Sequence, residues 1–133
     1  MRRLLPFNPD LGLLLLRVVL GIVMLAHGVP KLLHFGGVAQ GFTGMGVPAP
    51  MLAAAFATVV EAVGGLFMLL GVATDIVGVL FAIDMLGAII FVHASKGFSA
   101  GKGGFEFPLV LLTMALTIAL AGPGRYSVGS RRG

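Results

Sequence analysis

The stretch Leu11 to Phe35, LGLLLLRVVLGIVMLAHGVPKLLHF, decides how the rest of the chain must be read. It is apolar for at least the ~20 residues a helix needs to cross a bilayer. Arg17 interrupts it, and His27, Lys31 and His34 crowd its far end. A charge inside a span costs roughly 3 kcal/mol or more where it faces lipid. One face of this helix must therefore turn toward other protein. On a 3.6-residue period Arg17, Gly21, Met24, Gly28 and Lys31 fall along one side, so the charges and the smallest residues share it. Gly21 and Gly28 let a neighbouring helix come close along that stripe.

The composition says what the neighbour is. The chain has 133 residues, 58% of them hydrophobic and 11% charged, with a mean hydropathy of +1.08. That leaves too little polar residue to coat a soluble domain and points to a polytopic membrane protein. With no cysteine there is no disulfide, zinc-thiolate site or thiol nucleophile. No metal-ligand spacing is present either. The net charge of +4 comes from basic residues scattered at span ends, which marks topology rather than a nucleic-acid partner. The first apolar stretch exceeds the ~7–15 residues of a signal peptide core and carries Arg17, so it is expected to be retained.

Working outward, four apolar segments appear, at about 11–34, 51–72, 76–94 and 106–121, forming a single membrane domain over 1–133. The Gly- and Pro-rich run 36–50, GGVAQGFTGMGVPAP, is expected to be a lid or re-entrant segment at the membrane surface. The second span holds Glu61 near its centre, with Gly64, Gly65 and Gly71 as helix-packing positions. Ala73, Thr74 and Asp75 leave only a tight turn, so the second and third spans must be antiparallel neighbours. Asp84 lies mid-span in the third segment and His93 at its exit. A second Gly-rich loop leads to Glu106, which opens the fourth segment. Each half runs span, His then Lys, Gly-rich loop, returning span, the pattern of two repeated hairpins.

The expected fold is an all-α, integral-membrane four-helix bundle. Arg2, Arg3, Arg125, Arg131 and Arg132 would share one side, against Lys31, Lys96 and Lys102 on the other. The basic excess puts both termini in the cytoplasm.

Intramembrane ionisable groups are functional candidates with partners. Here they are Arg17, His27, Lys31, Glu61, Asp84, His93 and Glu106. The long guanidinium stem of Arg17 makes it the expected partner of Glu61. A purely structural role, a buried pair that fixes helix register, competes with a functional one. For Lys31 and Lys96 the bland reading is snorkelling toward the interface. The run GFSAGKGG at 97–104 lacks the spacing and the Ser/Thr of a phosphate loop.

These residues, in their order and spacing, resemble the DoxX family over about Leu15 to Ser127. The matching pieces are Arg17 with Gly21, His27-Gly28 with Lys31, Pro48, and Glu61 followed by Gly64-Gly65. They continue with Leu70-Gly71 then Thr74, Met85, His93, Gly97-Phe98 and Glu106. The last is Gly122-Pro123-Gly124-Arg125-Tyr126-Ser127. Two departures are Asp75, where the family often has a basic residue, and Val128-Gly129, where it often has an acid. The resemblance implies a four-helix bacterial inner-membrane protein. The family name comes from a subunit associated with quinol oxidation, and relatives are linked to thiosulfate:quinone oxidoreduction and oxidative-stress complexes.

The functional expectation is a quinone- or quinol-interacting subunit of a membrane redox assembly, an oxidoreductase subunit in that sense. In it His27 or Lys31 donates to a headgroup and Glu61 or Asp84 relays protons. The chain would carry no cofactor of its own beyond a bound quinone. Electrons would come from a partner redox protein, and a homo-oligomer is compatible. The alternative is a non-enzymatic scaffold or helper that binds partner proteins or lipids. A third reading, a small-solute transporter, would need several copies to build a path.

Overall fold

The computed structural model describes residues 2–129. Arg131 and Arg132, expected in a cytoplasmic tail, lie outside them. Five α-helices run in the order α1 (Pro9–Leu33), α2 (Phe35–Gly44), α3 (Pro50–Leu70), α4 (Thr74–Ala88) and α5 (Glu106–Ala121). No strand occurs among the described residues.

Local chemistry sets the ends. Asn8 caps α1, its side-chain oxygen accepting from the Leu11 N–H at 3.1 Å, and Pro9 takes a first-turn position where its missing N–H costs nothing. Pro50 opens α3 in the same way. At the other end of α3, Gly71 takes φ +76° and donates its N–H to the Phe67 and Met68 carbonyls. Val72 N–H also reaches Phe67 O, at 2.9 Å, the double closure of a Schellman turn. Ala73 follows at φ +48° and α4 begins at once.

Glycine contacts fix the packing. A Cβ on Gly21 would meet Gly65 O at 2.9 Å, and one on Gly28 would meet the Glu61 carbonyl carbon at 2.6 Å. So α1 and α3 run antiparallel almost backbone to backbone. Gly64 gives its space to the Phe81 ring, and Gly78 sits against Ala115 O, which pairs α3 with α4 and α4 with α5 in the same antiparallel sense. The shared core is Leu20, Met24, Val60, Met68, Val77, Phe81, Met85, Leu111, Ala115 and Ile118. Outward-facing Leu15, Val19, Ile22, Leu66, Ile76 and Val79 stay exposed. An apolar perimeter of that kind suits lipid, not water.

One expectation changes and another is met in part. The run 36–50 is not an irregular lid over its length: Phe35–Gly44 is a helix, held against α3 with Ala39 buried. Glycine's low helix propensity hid it, and tertiary packing overrides that. Of the expected four spans, three correspond to helices that are, among the described residues, long and apolar enough to cross a membrane: Pro9–Leu33, Pro50–Leu70 and Thr74–Lys96. The last includes a π-helical turn, Ile89–His93, and a 3₁₀ turn, Ala94–Lys96, beyond α4. With 16 residues α5 is shorter, about 24 Å long.

Candidate functional site

The buried stripe of α1 is Arg17, Leu20, Gly21, Met24 and Gly28, the face that the periodicity singled out. The expected Arg17–Glu61 pair does not form. Arg17 is 1% exposed and donates to main-chain carbonyls only: Nε to Met68 O (3.2 Å), Nη2 to Leu69 O (3.0 Å), and Nη1 to Pro123 O (2.9 Å) and Tyr126 O (2.8 Å). Arg17 thus caps the carboxyl end of α3, where unpaired carbonyls carry the negative end of the helix dipole, and ties down the segment after α5. Gly71 completes that junction: a Cβ there would collide with Ser127, and its carbonyl accepts from Gly129 N–H at 3.1 Å. It is packed at a turn rather than along a helix seam.

Glu61 is paired with Lys31 instead. Lys31 Nζ donates to Glu61 Oε1 at 2.6 Å. The reason is register. Antiparallel packing sets Gly28 beside Glu61, so the residue one turn on reaches the carboxylate, while Arg17 lies level with Met68. Across the α3–α4 seam the Asp84 carboxyl comes within hydrogen-bonding reach of Glu61 and within the field of Lys31. Glu61 is 3% exposed and Asp84 8%. Asp84 Oδ2 is buried and has no hydrogen-bond donor among the described residues.

These three groups form the polar end of a cavity of about 660 Å³. Its walls are apolar: Met24 from α1, Phe42 from α2, Met45 and Val47 to Ala49 after it, Leu52, Phe56 and Ala57 from α3, Ile83, Met85 and Gly87 from α4, Phe91 from the π turn, and Phe107 and Leu111 from α5. The volume falls in the range of small-molecule pockets, roughly 300–1,000 Å³, which are mostly apolar with a few convergent polar groups.

His27 and His93 line the same cavity. His27 Nδ1 donates to Val23 O at 2.8 Å, and its ring lies 6.1 Å from that of Phe107. His93 closes the π turn and donates Nδ1 to Gly103 O at 2.6 Å. Five of the seven residues singled out from sequence therefore converge: His27, Lys31, Glu61, Asp84 and His93. Arg17 and Glu106 stand apart. Glu106 Oε1 accepts from Ala100 N–H at 2.9 Å and shapes the loop before α5.

One buried polar group escaped the sequence reading. Thr58 is 2% exposed and its Oγ1 has no hydrogen-bond partner among the described residues. It precedes Glu61 by three residues, a spacing that puts both on one helix face and could have flagged it.

The DoxX family model matches residues 12–94, well over half of the chain. The chain belongs to the DoxX family. Among DoxX relatives it is 40% identical to a Bacillus subtilis protein named "Putative oxidoreductase CatD", across 85% of this chain and 81% of that one. It is 31% identical to the inner membrane protein YphA of Escherichia coli, across 90% and 89%, and 32% identical to YqjF, another E. coli inner membrane protein, across 90% of each. No solved structure matches this DoxX protein. Most of the cavity-forming elements, α1 to the π turn, lie inside the matched segment.

Proposed function

We propose that this DoxX protein is a multi-pass subunit of a bacterial inner-membrane redox assembly that holds a quinone or quinol headgroup in the cavity between α1, α3, α4 and α5. The observation that carries it is the 660 Å³ apolar cavity ending on Lys31, Glu61 and Asp84, with Asp84 Oδ2 unbonded. The oxidoreductase name of the B. subtilis relative supports the same direction.

A quinone–quinol couple supplies two-electron, two-proton chemistry. The chain's part is positional. The apolar walls exclude water and take a ring with its tail. Lys31 places a cation where a ring oxygen gains or loses charge. Glu61 and Asp84, two carboxyls facing one ammonium, can hold a proton between them and pass it on. In this reading the electrons come from a partner redox protein.

In this reading α5 completes a four-span bundle, shortened by the polar loop that Glu106 organises. Arg2, Arg3 and Arg125 gather at one end, where Arg125 N–H donates to Asp10 Oδ1 at 2.9 Å, and that end faces the cytoplasm.

The test is organic extraction of protein purified from native membranes, mass spectrometry of the extract, and titration of the stripped protein with a decyl-substituted benzoquinone and its hydroquinone. Co-purified quinone, or saturable binding that Gly87→Phe removes, is the expected result. No quinone in the extract and no binding of either probe would overturn the proposal. A phospholipid in the extract instead would move the cavity to the lipid-binding helper.

A further inference from the structure

The end of the bundle remote from the cavity, where α1 starts, carries an uncovered surface of mixed character. Residues 2–8 stay outside the helix, which Asn8 caps and Pro9 opens. Leu4 is fully exposed, and Leu5 and Phe7 are 76% and 71% exposed. The bundle leaves these three side chains largely uncovered, and Leu11 and Leu15 carry the exposed apolar run on into α1. Arg2 and Arg3 are exposed in the same segment. The Arg3 guanidinium lies over the Phe7 ring, 4.8 Å from its centroid. A guanidinium stacked by its face keeps its N–H edges free, and those edges match phosphate oxygens. Among the described residues no carboxylate pairs with either arginine.

A second segment reaches the same level. Arg125 N–H donates to Asp10 Oδ1 at 2.9 Å, and a Cβ on Gly124 would meet Leu13 at 3.2 Å. Residues 124–126 therefore cross the first turn of α1, and they leave Arg125 and Tyr126 exposed. The acids of this end, Asp10 and Asp75, each lie in the first turn of a helix, where its dipole offsets part of their charge.

We infer that Arg2–Phe7 and Arg125 form a docking surface for anionic phospholipid headgroups. Arg2 and Arg3 hold headgroup phosphates at the membrane surface, and Arg125 adds its charge at the same level. Leu4, Leu5 and Phe7 lie among the upper acyl chains. Basic charge alone would mark sidedness and accept any anion. The apolar side chains interleaved with it decide for the bilayer, since a soluble phosphate would leave them in water. Each arginine near an anionic surface favours it by about five-fold. This surface shares no residue with the cavity and does not depend on what the cavity holds.

The chain has no tryptophan, so Phe7→Trp gives one indole at an exposed position. The full chain carrying it is placed in nanodiscs of equal parts phosphatidylglycerol and phosphatidylcholine, with brominated acyl chains on one lipid or on the other. Quenching of the indole reads which lipid lies beside residue 7. Brominated phosphatidylglycerol is expected to quench more strongly, at a local enrichment of about ten-fold or more, and Arg2→Gln with Arg3→Gln should bring the two lipids level. Arg125→Gln should lower the enrichment by about five-fold or less. Added inorganic phosphate should act no differently from chloride at equal ionic strength. Equal quenching by the two lipids, or a preference that survives the double arginine variant, would overturn the inference. A water-exposed emission spectrum with no quenching by either lipid would place the segment outside the bilayer and overturn it too. Loss of quenching to phosphate beyond that to chloride would overturn it in favour of a soluble anion.

Discussion

Lys31 Nζ meets Glu61 Oε1 at 2.6 Å across the α1–α3 seam, with the lysine side chain 25% exposed and the glutamate 4%. A partly wet cation thus satisfies a nearly dry anion, and the two do not contribute alike when removed. Lys31→Met strands a buried carboxylate. The expected loss is about 2 kcal/mol, between the values typical of exposed and fully buried pairs. Adding Glu61→Gln should recover most of it. Thermal unfolding of the two variants in detergent reads the difference, and a double variant no better than Lys31→Met would disprove the pairing.

Arg17 and Glu61 share no partner and stand about 10 Å apart along α3, counting from Met68 at a rise of ~1.5 Å per residue. Arg17→Lys cannot span carbonyls on two segments with one ammonium. It should lower stability by about 2–3 kcal/mol and speed amide exchange in 123–129, with little change at Glu61. Combined with Glu61→Gln the effects should add to within ~0.5 kcal/mol. A larger coupling would revive the pair expected from sequence.

Gly28→Ala drives a methyl into the α3 backbone at Glu61 and Ala62. Main chain cannot rotate away, so α1 must lift, at a cost of about 1–3 kcal/mol. Gly12→Ala is the internal control, since a Cβ there meets nothing within 4 Å. It should be neutral or stabilise by up to ~1 kcal/mol through helix propensity. Chemical unfolding of both proteins separates packing from propensity.

Gly87 lines the cavity, and a Cβ on it has open space. Gly87→Phe should therefore occupy the cavity without colliding with a helix. The expected outcome is unchanged or slightly raised thermal stability with probe binding lost. Tight binding retained in this variant would show that the ligand sits elsewhere.

Much of this arrangement was legible in the residues. A charge, two glycines and a methionine at helical spacing announced which side of α1 is buried, because burial repeats with the helix period. Partner choice was not legible, because it depends on relative height of two helices, which no single segment encodes. Gly21 lying against Gly65 sets that height, and once it is known Lys31 is level with Glu61 and Arg17 is not. The acceptors of Arg17 were invisible for another reason: they are main-chain carbonyls, which every residue type supplies. The π turn was hidden too, since Ile89 to His93 reads as ordinary apolar helix.

The Arg17 contacts also impose an order of assembly. The guanidinium enters the membrane with α1, yet its acceptors arrive in two later instalments, Met68 and Leu69 with α3, then Pro123 and Tyr126 after α5. Until translation reaches that segment, the guanidinium must borrow water or headgroups for company. A nascent chain stopped before Pro123 cannot finish the bundle it has already threaded through the bilayer.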